Sequence, residues 1–129
     1  MDSTQIFIYT LLALIVFYIA RKVLLYRSVK NYSPAELAEK LKKDKNAVLL
    51  DVRTPMERKQ DYIRGSFHIP LYDLTANPKE LLKFKDKEII CYCRTGNRSL
   101  TAASKLSKLG YNSANLKGGI IYWKKAGLK

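Results

Sequence analysis

Cysteine, histidine and acidic side chains are all scarce here, and each shortage excludes something. There are two cysteines, Cys91 and Cys93, spaced i and i+2. A bridge between strand residues two apart would be badly strained, so no disulfide framework is expected. Two free thiols fit a reducing compartment. The only histidine, His68, stands beside an apolar run and is given no catalytic role. Against 24 Lys and Arg there are 11 Asp and Glu, for a net charge of +13. Asp2, Arg21, Lys22, Arg27 and Lys30 are the only charges before residue 32, so residues 32–129 keep 20 basic against 10 acidic side chains. Such a surface suits an anionic substrate, an acidic protein partner or an anionic membrane, or serves solubility alone. Nucleic acid is not expected as a partner, because no basic stripe interleaved with aromatics forms a binding motif. Repeats and low-complexity tracts are absent, and a hydrophobic content of 47% argues against disorder.

One long uncharged run is present. Residues 6–20 read IFIYTLLALIVFYIA, followed by Arg21, Lys22 and VLLY. As a helix the run spans roughly 22 Å, short of a hydrocarbon core of ~30 Å. Extension to Tyr26 supplies the missing length if Arg21 and Lys22 snorkel to the interface. A cleaved signal peptide would want basic residues before the run and small residues at its end. Here Asp2 precedes the run, and Tyr18-Ile19-Ala20 is a poor cleavage site. The expectation is an uncleaved single-pass anchor. All four basic flanking residues follow the span, which places the C-terminal domain in the cytoplasm. Residues 1–31 are read as transmembrane anchor and basic juxtamembrane segment, and residues 32–129 as one compact domain.

Three helix starts share one device: a capping residue, proline and, two positions on, glutamate. They are Ser33-Pro34-Ala35-Glu36, Thr54-Pro55-Met56-Glu57 and Asn77-Pro78-Lys79-Glu80. Asn77 is the least usual of the three caps. Apolar runs at Ala47–Leu50, Phe67–Ile69 and Glu88–Tyr92 read as strands, with a last strand over Asn112–Leu116. Leu100, Ala103, Leu106 and Leu109 recur at helical spacing, and Gly110 is a suitable stop. A final short helix carries Trp123. Strands alternating with helices predict an α/β domain with a mainly parallel central sheet flanked by helices, preceded by one transmembrane helix.

The stretch CYCRTGNRS, Cys91–Ser99, carries the chemistry. In this order it leaves the C-terminal end of a central strand and opens a helix, where open α/β sheets bind ligands. Backbone N–H groups of such a loop form an anion nest, and the helix start adds partial positive charge. Arg94 and Arg98 add more, Thr95 and Ser99 can donate hydrogen bonds, and Gly96 permits a positive φ. All these terms favour thiolate over thiol at Cys93. The polar, cationic flank argues against an inert buried cysteine. Cys91, inside the strand, reads as a core residue, with a resolving thiol as the sharper alternative.

On these residues the chain from about 32 to 129 resembles a single-domain rhodanese, a sulfurtransferase family. That family's loop often reads C-R-x-G-x-R, matched by Cys93-Arg94-Thr95-Gly96-Asn97-Arg98. Its D-V-R-x-x-x-E signature is met by Asp51-Val52-Arg53-Thr54-Pro55-Met56-Glu57. The following G-H-I-x-G-A and I-P appear as Asp61-Tyr62-Ile63-Arg64-Gly65-Ser66 and Ile69-Pro70. The C-terminal signature is met by Gly110-Tyr111, Leu116, Gly118-Gly119 and Trp123. Asp61-Tyr62 departs from the usual Gly-His pair, a local change near the pocket's approach.

The resemblance implies a Cys93 thiolate that takes a sulfane sulfur from a small anionic donor such as thiosulfate. The resulting persulfide passes its outer sulfur to a thiol, cyanide or a protein acceptor. It implies Arg94, Thr95, Gly96, Asn97, Arg98 and Ser99 around the substrate, Asp51 and Arg53 as supports, with Arg53 reaching Glu57, and no metal or organic cofactor. Two other classes stay open. One is a tethered, non-catalytic binding or sulfur-relay module. The other is a phosphatase or arsenate reductase, which on the same fold has one more residue between Cys and Arg.

Overall fold

The computed structural model describes residues 1–129. Its centre is a five-stranded sheet in the order β1-β5-β4-β2-β3, with every pairing parallel. The strands are β1 (Lys30–Tyr32), β2 (Ala47–Asp51), β3 (Phe67–His68), β4 (Glu88–Tyr92) and β5 (Asn112–Leu116). The helices are α1 (Ser3–Ser28), α2 (Pro34–Lys43), α3 (Pro55–Gln60), α4 (Pro78–Leu82), α5 (Asn97–Lys108) and α6 (Gly119–Lys125). Parallel pairing brings the C-terminal ends Asp51, Tyr92 and Leu116 to one edge of the sheet, with Asp51 directly opposite Tyr92.

β4 is buried along its whole length, as a central parallel strand covered on both faces must be. Its side chains alternate between two cores. Ile89 and Cys91 pack with Leu81, Leu100, Ala103 and Leu106 from α4 and α5. Ile90 and Tyr92 pack with Leu37, Ile120 and Trp123 from α2 and α6.

The three proline-marked helices begin at Pro34, Pro55 and Pro78 as expected, but their caps differ. Thr54 forms the full reciprocal box with Glu57. Ser33 accepts from the Glu36 N–H at 3.2 Å without the return bond. Asn77 makes no side-chain cap bond; its amide donates to the Asp73 carbonyl instead. β1 was not expected. Its three residues, Lys-Asn-Tyr, carry no apolar alternation, and pairing with β5 is what makes them a strand. It straddles the expected boundary at 31/32, so the sheet reaches two residues into the segment read as juxtamembrane.

α1 is the one helix long and apolar enough to cross a membrane. None of its side chains is buried, which leaves a continuous apolar surface from Ile6 to Ile19. A signal sequence meets the same description of length and composition.

A buried ionic cluster ties the strand ends together. Asp51 is fully buried. It accepts from the Arg53 backbone N–H and Nε at 3.0 Å and from Arg53 Nη2 at 2.9 Å. Tyr92 Oη donates to it at 3.0 Å from the neighbouring strand. Burial pushes the Tyr92 phenol up, which keeps it a donor. Arg53 also donates to Asp61 Oδ1 at 3.0 Å and to the Asp61 carbonyl at 2.6 Å, and Asp61 pairs with Lys124 of α6. Removing one member of such a cluster strands the rest in a dry interior. Asp51→Ala is expected to cost about 3–5 kcal/mol in the unfolding free energy of the full chain. Urea denaturation checks this, and a loss below about 1 kcal/mol would contradict the assignment.

Candidate active site

Cys93 follows directly on β4 and is 1% exposed. This corrects the expectation drawn from its polar flank: Cys93 packs in the same core as Cys91 and Leu100. The chain turns so tightly that the polar side chains of Arg94, Thr95 and Asn97 stand outside while the sulfur stays within. Gly96 makes the turn, with φ of +107°, a region open to glycine. Its N–H donates to Cys93 Sγ at 3.0 Å. Gly96 then caps α5, whose first bond back to it runs from Leu100 N at 3.2 Å. The N–H groups of Asn97, Arg98 and Ser99 precede that bond and have no partner within the helix.

α6 holds the loop from behind. Ile120 N donates to the Cys93 carbonyl at 2.9 Å and Ile121 N to the Arg94 carbonyl at 3.3 Å. A trans peptide points its N–H opposite to its carbonyl, so the N–H groups of Arg94 and Thr95 face away from α6. Only glycine at 119 allows this approach. A Cβ there would collide with the Cys93 and Arg94 carbonyls, and its φ is +62°.

Ser99 is buried, with Oγ 3.3 Å from Cys93 Sγ and 2.6 Å from Asn115 Oδ1. One hydroxyl proton cannot serve both acceptors. The Asn115 amide is oriented by donating to Asn31 Oδ1 at 2.9 Å. Asn31 in turn donates to the Tyr26 and Val29 carbonyls at the end of α1. The chain of amides therefore runs from the last turn of α1 to Ser99. With a neutral thiol, the serine proton rests on Asn115. With a thiolate, it is drawn toward sulfur.

The two loop arginines divide. Arg98 forms a bidentate pair with Glu57 of α3, at 2.6 and 2.9 Å. The guanidinium lowers the Glu57 carboxyl to about 2. The expected Arg53–Glu57 contact is thus replaced: Arg53 goes to Asp51 and Asp61, and Arg98 takes Glu57. Arg94 is exposed and in none of the nine ion pairs. Asp51 and Arg53 lie behind the site, one strand over, and reach it through Tyr92 and through Asp61 to Lys124 of α6. A cavity of about 300 Å³ opens beside Arg98, between Val52, Thr54, Leu71, Tyr72 and Lys105. Cys91 is fully buried, and burial pushes its thiol up, as suits a core residue.

Of the site residues expected from sequence, the structure brings Gly96 and Ser99 to the Cys93 sulfur and leaves Arg94, Thr95 and Asn97 outside. Sequence reading did not anticipate Asn31, Asn115 or the pairing of Glu57 with Arg98. Glu57 carried a signal in its capping position, while Asn31 and Asn115 carried none.

The model of the rhodanese-like domain family matches residues 33–126. A sulfurtransferase of Allochromatium vinosum is 34% identical over 101 residues, covering 78% of this chain and 92% of that one. The crystal structure of a rhodanese-related protein from Thermoplasma volcanium superposes with a TM-score of 0.70 at 35% identity, over 78% of this chain and 95% of that one. A Rhodopseudomonas palustris protein of unknown function, described as a possible tyrosine phosphatase, superposes at 0.74 with 27% identity, over 81% and 86%.

Two expectations follow from this geometry. Ser99→Ala is expected to slow iodoacetamide alkylation of Cys93 at neutral pH by roughly 3–10-fold, the worth of one weak hydrogen bond to an ion. Asn115→Leu, which frees the serine proton, is expected not to slow it. Equal slowing in both would deny the hydroxyl this role. The Arg98–Glu57 pair stabilises the fold fully above the ordinary carboxyl value of 4.5 and ceases to do so as pH falls to about 2. Glu57→Gln is expected to flatten acid unfolding in that window. An unchanged acid profile would contradict the pairing.

Proposed function

The chain belongs to the rhodanese-like domain family, and from that premise we propose that it is a sulfurtransferase working through a Cys93 persulfide. One observation carries the reading. Cys93 Sγ receives the Gly96 N–H and has the Ser99 hydroxyl beside it, in a loop that opens a helix. That is a cradle for a negative sulfur. Four residues separate Cys93 from Arg98, one fewer than in the phosphatase form. The shorter loop suits a single sulfur atom better than a phosphate ester.

With thiosulfate as donor, the Cys93 thiolate attacks the sulfane sulfur. The donor S–S bond breaks and sulfite leaves with its electron pair, leaving a negative persulfide on Cys93. An acceptor then attacks the outer sulfur: cyanide leaves as thiocyanate, and a thiolate as a persulfide. The Cys93 thiolate returns with the bonding pair. The two half-reactions share one covalent intermediate and need no metal or organic cofactor. Arg94, free of ion pairs at the rim, draws the anionic donor in. Arg98 acts at one remove, clamping the loop to α3. Thr95 and Asn97 line the approach from outside.

α1 serves as a single-pass anchor in this reading, with the domain on the cytoplasmic side where its two thiols stay reduced. A protein acceptor at the membrane surface fits that placement.

Thiosulfate–cyanide sulfur transfer by the full chain tests the proposal. The wild type turns over and Cys93→Ser falls to background. Arg94→Ala raises KM for thiosulfate roughly two- to five-fold, the scale of one exposed charge contact, with kcat unchanged. p-Nitrophenyl phosphate is not hydrolysed. Turnover of the phosphate ester without sulfur transfer would assign the site to the phosphatase class instead.

A further inference from the structure

α1 continues past its uncharged run as a helix to Ser28 and packs against α5, and the two run in opposite directions. Asn97 and Leu100, at the start of α5, share a cavity with Val23, Tyr26 and Arg27. Lys105 and Lys108, at its end, share another with Tyr18, Arg21 and Lys22. The C-terminal end of α5 therefore meets α1 where the apolar run gives way to charge.

That second cavity is a groove of about 680 Å³. Four cations line it, Arg21 and Lys22 from α1 and Lys105 and Lys108 from α5, and no carboxylate does. None of the four is in an ion pair. Each pair has an ordinary local reason: basic residues flank a membrane span, and lysines complement a helix C-terminus. Neither reason brings the two pairs together across one groove, where they repel unless an anion lies between them. The hydroxyls of Thr101 and Ser104 line the same groove, and Leu24 and Leu25 give it an apolar wall. The lining is thus cationic, hydrogen-bonding and greasy at once, and it opens beside the exposed apolar side chains of α1.

We propose that this groove holds the headgroup of an anionic phospholipid, its phosphate among the four cations and its chains along α1. This rests on α1 being a membrane anchor. A bound lipid would hold α5 against the bilayer surface by its C-terminal end. The Cys93 loop, at the other end of a twelve-residue helix, then faces away from the bilayer by up to ~18 Å. A free phosphate ion would satisfy the cations and leave the apolar wall uncovered.

The test uses the full chain in phosphatidylcholine nanodiscs containing a minor fraction of phosphatidylglycerol, with the retained lipid identified by native mass spectrometry. The wild type is expected to retain phosphatidylglycerol well above its bulk share. Lys105→Ala/Lys108→Ala, which preserves helix propensity, is expected to lower that enrichment by about tenfold or more, at ~1 kcal/mol per cation. Lys42→Ala/Lys45→Ala, the same charge change at and just past the C-terminal end of α2 and outside the groove, is expected to leave it unchanged. No enrichment in the wild type, or equal loss in both double variants, would overturn the site. So would displacement of the lipid by excess inorganic phosphate, which would make the ligand a free anion. A chain that leaves pure phosphatidylcholine discs altogether would overturn the anchor reading and this site with it, whereas a chain that stays without lipid preference sinks the site alone.

Discussion

Two backbone hydrogen bonds from the start of α6 to the carbonyls of Cys93 and Arg94 are the constraint on which the site depends. They turn both carbonyls toward α6, so the following N–H groups face away from it and the chain closes on Gly96. Glycine at 119 is what lets α6 come that close. The nucleophile is therefore shaped by the second glycine of Gly118-Gly119, more than twenty residues away. The buried Asp51 cluster supports the same arrangement from the other side. It fixes β2 against Tyr92, the residue before Cys93, and reaches α6 through Asp61 and Lys124.

Much of the fold was legible because its signals are local. Four of the five strands and the proline-marked helix starts follow from short apolar runs and capping chemistry. β1 escaped because Lys30-Asn31-Tyr32 has no pattern of its own; its stability comes from β5, some 84 residues on. The site divides in the same way. Cys93, Gly96 and Ser99 were legible as one contiguous motif. The burial of Cys93 was not, because sequence neighbours give the polarity of a loop and not which way its atoms face. The partners of Ser99 and Arg98 were hidden for a related reason: Asn115, Asn31 and Glu57 are brought in by the sheet and α3. Asp61 reads in sequence as a departure from the family pattern. In the structure it is a carboxylate shared by Arg53 and Lys124, so the departure joins the support of the site to α6.

Charge is distributed with a division of labour. Of the two loop arginines, one is neutralised by Glu57 and becomes structural, and the other stays free at the rim. Four more basic residues, Arg21, Lys22, Lys105 and Lys108, stand free of ion pairs where α5 meets α1. The amide chain from the end of α1 through Asn31 and Asn115 to Ser99 ties the Cys93 loop to α1.

The most direct test of the central claim is the intact mass of the full chain after incubation with thiosulfate and removal of all reductant. The account predicts one added sulfur atom on the wild type, none on Cys93→Ser, and its loss on addition of cyanide. A wild type that gains no sulfur from thiosulfate or from glutathione persulfide would contradict it, as would a sulfur that still appears on Cys93→Ser.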